Sequence, residues 1–164
     1  MTLSEIKELL LFGTSCHIPT LKECLDEIDG KVPLLIEFKY DDNSAALCKA
    51  ANEVLKGYKG KYFVQSFYPQ NLYYFRKHRK DICRGQLSCN FKGEALHKKL
   101  SSMLLYNFIS RPDFISFQHT DKNNFFFRLV VKLGALDVGW TFQSLEQLEK
   151  NGEAFSTYIF ENFI

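Results

Sequence analysis

Two hydrophobic periods take turns along the 164 residues of this chain. Short apolar runs that suit strands alternate with segments whose apolar residues recur at helical spacing. Leu3–Leu9 reads as a helix with Ser4 as a possible cap. Thr20–Ile28 is clearer: Thr20 with Glu23 three residues on forms a capping box, Pro19 precedes it and Gly30 follows. Val32–Lys39 is an apolar run of the kind buried on both faces of a sheet. The pattern then repeats. Helices are predicted over Ser44–Tyr58, Pro69–His78, Glu94–Phe108, Asn124–Leu133 and Ser144–Lys150, the last with Gln147 at the box position. Strands are predicted over Tyr62–Phe67, Cys83–Ser88, Asp113–Gln118, Leu136–Phe142 and Thr157–Phe160. Six strands with helices between them imply crossover connections and a parallel sheet. An open doubly wound sheet and part of an eight-stranded barrel both satisfy that pattern. The glycine-rich first turn of the nucleotide-binding doubly wound folds is missing. A whole barrel takes about 250 residues.

The composition is that of a globular chain, 46% hydrophobic and 24% charged, which excludes disordered and collagen-like classes. The length suits one domain over residues 1–164. No apolar run reaches the roughly 18 residues of a membrane span. Glu5, Lys7 and Glu8 interrupt the apolar pattern of the first residues, unlike a secretory signal. A net charge of +2 does not indicate nucleic acid as a partner. Cys16, Cys24, Cys48, Cys83 and Cys89 are odd in number and lack CxxC spacing, so they read as free, mostly buried thiols in a reducing cytoplasm.

Glu37 and Lys39 stand out as charges two apart near the end of an apolar strand, hence on one side of it. A buried charge needs a partner or a metal, and parallel α/β proteins build their sites at the C-terminal strand ends. Other features have plainer readings. The basic run Arg76–Lys80 reads as a solvated helix end. Phe125–Phe127 is expected to pack a helix on the sheet, although three consecutive rings cannot all face inward. Arg84 and Gln86 share a strand face that could reach a pocket.

Several segments taken in order resemble the glycerophosphodiester phosphodiesterase family. They are Ile18-Pro19-Thr20-Leu21, Leu34-Leu35-Ile36-Glu37-Phe38-Lys39, Gln65-Ser66-Phe67, Arg84-Gly85-Gln86-Leu87, Arg111-Pro112-Asp113-Phe114, Trp140-Thr141-Phe142 and Ile159-Phe160-Glu161. The resemblance implies an α/β fold: an incomplete TIM-type (β/α) barrel of about six parallel strands with flanking helices, lacking the first two strand–helix units. It implies metal-dependent hydrolysis of glycerophosphodiesters, a branch of lipid metabolism, to glycerol phosphate and an alcohol. Glu37 matches a metal carboxylate (for Mg²⁺ or Ca²⁺). Lys39 matches the lysine that neutralises phosphate charge, and Trp140 the aromatic on the glycerol side.

The departures from that family are as informative. Its His-Arg pair, its Glu-x-Asp pair and its His-Asp pair have no counterpart here, and His17, His78, His97 and His119 match neither catalytic histidine. One of three metal carboxylates remains, and these ions want several oxygens. The chain is therefore expected to be inactive alone. The alternative is a barrel remnant that serves as a binding or assembly module. Two bare outer strands would favour a homo-oligomer.

Overall fold

The computed structural model describes residues 1–39, 42–91 and 104–162. Seven helices and six strands lie among them. The order is α1 (Leu3–Lys7), α2 (Leu21–Ile28), β1 (Leu34–Glu37), α3 (Ser44–Leu55), β2 (Tyr62–Ser66), α4 (Pro69–His78) and β3 (Arg84–Ser88). It continues with α5 (Asn107–Ser110), β4 (Phe114–Gln118), α6 (Phe125–Lys132), β5 (Leu136–Phe142), α7 (Leu145–Asn151) and β6 (Thr157–Phe160). Local chemistry explains most of the boundaries. Thr20 and Glu23 close the expected capping box on α2, and Asp29 ends that helix in the left-handed region at φ 47°. α1 is capped by Thr2 with Glu5 rather than by Ser4. Asn124 caps α6 through Phe127 N–H. Ser144 caps α7, but Gln147 Oε1 accepts from Gln143 N–H at 2.9 Å and does not complete a box with Ser144. The predicted Glu94–Phe108 helix falls mostly outside the described residues. Its described end is a turn at 104–106, followed by the short α5.

The chain divides into two compact units: Met1–Leu34 with Lys49–Lys61, and Leu35–Cys48 with Tyr62–Ile164. In the smaller unit, Lys7 forms an ion pair with Glu23, Leu10 bridges antiparallel to His17, and Tyr58 Oη accepts from Gly30 N–H at 3.1 Å.

The strand order is sequential, β1-β2-β3-β4-β5-β6, in one sheet of parallel strands. That order has no switch point, which removes the doubly wound alternative. The architecture is an incomplete TIM-type barrel with flanking helices. In the larger unit, one face of the sheet is packed by helices. Ile115, Phe117, Phe127, Phe142 and Phe155 are buried together there, with Val130, Val131 and Leu148 against them. Phe117 stacks on Phe127 at 4.6 Å. Each fully buried ring contributes about 1.5–3 kcal/mol. Of the Phe125–Phe127 triplet, only Phe127 is buried and Phe125 stands in solvent.

Four expectations need correction. β1 is shorter than Val32–Lys39 and is not buried on both faces: Leu35 is 41% exposed while Phe38 is buried. Local hydrophobicity could not reveal that one face lacks a covering layer. Of the cysteines only Cys48 is buried, and Cys16 is exposed. The basic run is not simply solvated. Arg76 donates to the Ile109 carbonyl, and Arg79 pairs with Asp81 at 2.7 Å and Tyr62 Oη at 3.1 Å. Arg84 and Gln86 do share a face, but it is the one under the helices. Arg84 pairs with Asp113 at 3.0 Å, and Gln86 Nε2 donates to the Ser66, Phe67 and Leu87 carbonyls.

Candidate functional site at the C-terminal strand ends

Strand alternation decides which side chains meet on the open face of the sheet. Phe38 lies against Phe75 of α4, with ring centroids 5.0 Å apart, so it faces the helices. Its neighbours Glu37 and Lys39 therefore face the other way. On β2, Ser66 is bound to Asn71 of α4, which turns Gln65 and Phe67 to the same open side. Ser116 Oγ donates to Gln65 Oε1 at 2.9 Å, which puts Ser116 there too. Gln118 and Trp140 follow by register. The Phe67 ring meets Trp140 edge-on at 5.5 Å, and Phe91 lies 6.1 Å from Phe67. The open face thus carries an acidic–basic pair on β1 and an aromatic cluster around Trp140, both at C-terminal strand ends.

Within this arrangement Lys39 Nζ lies 2.7 Å from Glu37 Oε1. The Lys39 side chain is 78% exposed and that of Glu37 is largely covered. An ion pair this exposed adds little to stability. It leaves a solvated ammonium beside a carboxylate, a pair that an arriving anion can rearrange. Trp140 Nε1 is buried and has no acceptor among the described residues.

A buried network sets the position of the β1 end. Asn71 is completely buried. Its Nδ2 donates to the Lys39 carbonyl at 3.2 Å and to Ser66 Oγ at 3.1 Å. Ser66 Oγ donates to the Phe38 carbonyl at 2.6 Å and accepts from Tyr68 N–H at 3.0 Å. Ser66 lies in the Gln65-Ser66-Phe67 segment, whereas Asn71 is in none of the motifs. A polar residue on the inner side of an otherwise amphipathic helix is the signal that could have pointed to Asn71.

The donors present do not fit a divalent metal. Among the described residues, no three His, Cys, Asp or Glu side chains gather where an ion could be held. Glu37 is a single carboxylate already engaged by Lys39. The described histidines lie elsewhere. His17 is exposed in the smaller unit, and His78 lies tilted against Tyr74 at the end of α4. His97 is outside the described residues. His119 is buried against Phe142 at 4.3 Å, with Asn151 Nδ2 at 3.0 Å from Nδ1. An amide nitrogen only donates, so Nδ1 accepts and the ring proton sits on Nε2. Burial, and then the charge of Lys122, hold this imidazole below its ordinary pKa.

By sequence, no family model and no curated protein matches the chain. By structure, a glycerophosphodiester phosphodiesterase of Parabacteroides distasonis superposes with a TM-score of 0.75 at 16% identity, over 97% of this chain and 66% of that one. The glycerophosphodiester phosphodiesterase of Thermotoga maritima gives 0.61 at 19% identity, over 88% and 60%. An Oleispira antarctica phosphodiesterase in complex with its product sn-glycerol-3-phosphate gives 0.66 at 16% identity, over 88% and 57%. The chain has the fold of the glycerophosphodiester phosphodiesterases. The ordered motifs in the sequence point to the same proteins. The chain spans about half to two thirds of the length of the phosphodiesterase structures it matches, 53% to 68%. Among its described residues, no helix is long and apolar enough to cross a membrane.

Proposed function

We propose that this chain is a glycerophosphodiester phosphodiesterase-type domain, corresponding to the barrel without its first two strand–helix units. It binds the glycerol-phosphate part of such diesters and does not hydrolyse them alone. The reading rests on one observation: Glu37, Lys39 and Trp140 share the open face at C-terminal strand ends. Lys39 supplies the positive charge that a phosphodiester anion seeks. Trp140 and Phe67 offer an apolar wall to the glycerol carbons. Glu37 holds Lys39 in place until the ligand arrives.

Hydrolysis asks for more. The diester's negative charge repels a nucleophile, and its cleavage needs charge neutralisation together with proton transfer at the attacking and leaving oxygens. Among the described residues no group of carboxylates gathers to hold a divalent ion, and His119 is turned toward Phe142 and Asn151. The test is an assay of the purified chain with glycerophosphocholine and Mg²⁺ or Ca²⁺. No turnover is expected, and turnover at an ordinary enzyme rate overturns the reading.

The binding or assembly reading shares these residues and has its own support. Leu35, Phe63 and Leu136 are partly to largely exposed, and β1 and β6 are the outer strands of the order. Outer strands present unpaired backbone groups that invite another chain. A homo-oligomer that covers them is the proposed solution, with the cytoplasm as the compartment that keeps five thiols free. Sedimentation at micromolar concentration tests it, and a compact monomer counts against it.

A further inference from the structure

The outward side of α6 and its flanks combines exposed apolar side chains with uncompensated cations. Phe125 is 71% exposed, Leu129 41% and Leu133 78%. The three recur every four residues and so form one stripe along the helix. The opposite side of α6 is committed to the core through Phe127, Val130 and Val131. Arg128 and Lys132 emerge on the same side as the apolar stripe, by the same spacing. Residues 122–136 contain three cations, Lys122, Arg128 and Lys132, and no carboxylate. The bordering acids are engaged elsewhere. Asp121 accepts from Asn90 N–H at 2.8 Å, and Asp137 accepts from Ser156 N–H and Oγ. Neither Arg128 nor Lys132 has a carboxylate partner among the described residues. Along the edge of the helix, between the stripe and the core side, runs a groove of about 840 Å³ whose lining includes Phe125, Arg128 and Lys132 together with Phe127 and Val131.

We propose that this face docks on the surface of a bilayer containing anionic lipid. Large apolar side chains interleaved with cations are what an in-plane helix presents to the headgroup boundary: rings and leucines enter the acyl edge while the cations meet lipid phosphates and carboxylates. A second copy of this chain is a poorer occupant. Lys122 Nζ donates to the Lys150 carbonyl at 2.8 Å, and pairing the face with itself would bring Arg128 and Lys132 of the two copies together. A nucleic acid would use the cations and leave Phe125 and Leu133 without a role. The proposal is independent of hydrolysis and of the Lys39 end of the sheet.

The experiment is flotation of the whole chain with vesicles of phosphatidylcholine alone and of phosphatidylcholine mixed with phosphatidylserine. Binding is expected to the mixed vesicles only, and to fall as salt rises. Arg128→Gln with Lys132→Gln should weaken partitioning about 25-fold, about fivefold per cation. Phe125→Ser with Leu133→Ser should remove binding, while Phe108→Ser, at an exposed ring on α5, should leave it unchanged. All the altered side chains are solvent-facing, and circular dichroism checks that each variant folds. Equal binding to both vesicle types, or no binding to either, overturns the proposal. Equal loss in the Phe108 variant also overturns it. So does a change of sedimentation in the α6 variants without vesicles, which would assign the face to a second copy.

Discussion

Replacing Asn71 by alanine should loosen the end of β1 that carries Glu37 and Lys39. The side chain is fully buried; its Nδ2 makes two good hydrogen bonds, to Ser66 Oγ at 3.1 Å and to the Lys39 carbonyl at 3.2 Å, and its Oδ1 accepts a weak one from Cys48 Sγ at 3.5 Å. A further Nδ2 contact, to the Phe38 carbonyl at 3.5 Å, is marginal, and that carbonyl keeps its 2.6 Å bond from Ser66. At about 1 kcal/mol net for each good bond, plus a small void, Asn71→Ala should cost about 2–3 kcal/mol. Ser66→Ala should cost about 3 kcal/mol by the same reasoning, since it removes the 2.6 Å bond and the acceptor for both Tyr68 N–H and Asn71 Nδ2. The two share one bond, so the double variant should fall short of their sum by about 1 kcal/mol. Urea unfolding followed through Trp140, the single tryptophan, reports on the unit that holds both residues. With a slope of about 2 kcal/mol/M, Asn71→Ala should lower the midpoint by about 1–1.5 M. A loss under about 0.5 kcal/mol, or strict additivity, would refute the claim that this network clamps the strand end.

Gly85→Ala should be destabilising, because a Cβ there would lie 2.1 Å from the Phe114 ring, and a change of Phe114 to Leu should relieve much of it; urea midpoints of the four proteins check this. His119 stays neutral in the fold below the pH at which the unfolded chain takes up its proton, about 6.5. Stability should therefore fall as pH drops from about 6.5 toward the lower folded value, and His119→Gln should flatten that part of the curve. Glu23 is held at about 2 first by its hydrogen bond from Lys7 and then by Thr20. Its contribution is present above the ordinary carboxylate value near 4.5 and is lost as pH falls toward 2, so Glu23→Gln should remove the acid-side loss in α2 helicity read by circular dichroism.

The elements were legible because each depends on neighbours in sequence. Pro69–His78 begins at a proline that needs no N–H partner, and Thr20 with Glu23 writes a helix start within four residues. The parity of Glu37 and Lys39 was legible for the same reason, since a period of two fixes that they share a side. Which side carries helices was not. Arg84 and Gln86 also share a side, yet theirs lies under α4 and its neighbours, where they lace Asp113 and the ends of β2. Nor was the exposure of Leu35 legible, because an apolar run looks alike whether or not a second layer covers it. Asn71 was hidden because its partners lie five and about thirty residues away, and only the packing of α4 on β1 and β2 brings them together.

Ligand binding at the Lys39 end of the open face can be read directly through Trp140. Titrating sn-glycerol 3-phosphate into the chain should change the tryptophan emission saturably, with no turnover of a glycerophosphodiester by the same preparation. Lys39→Ala should weaken that response about tenfold or more, as loss of a charge-assisted contact worth about 1.5–3 kcal/mol requires. An unchanged emission up to millimolar ligand, or a response the same in the Lys39 variant, would contradict the proposed binding.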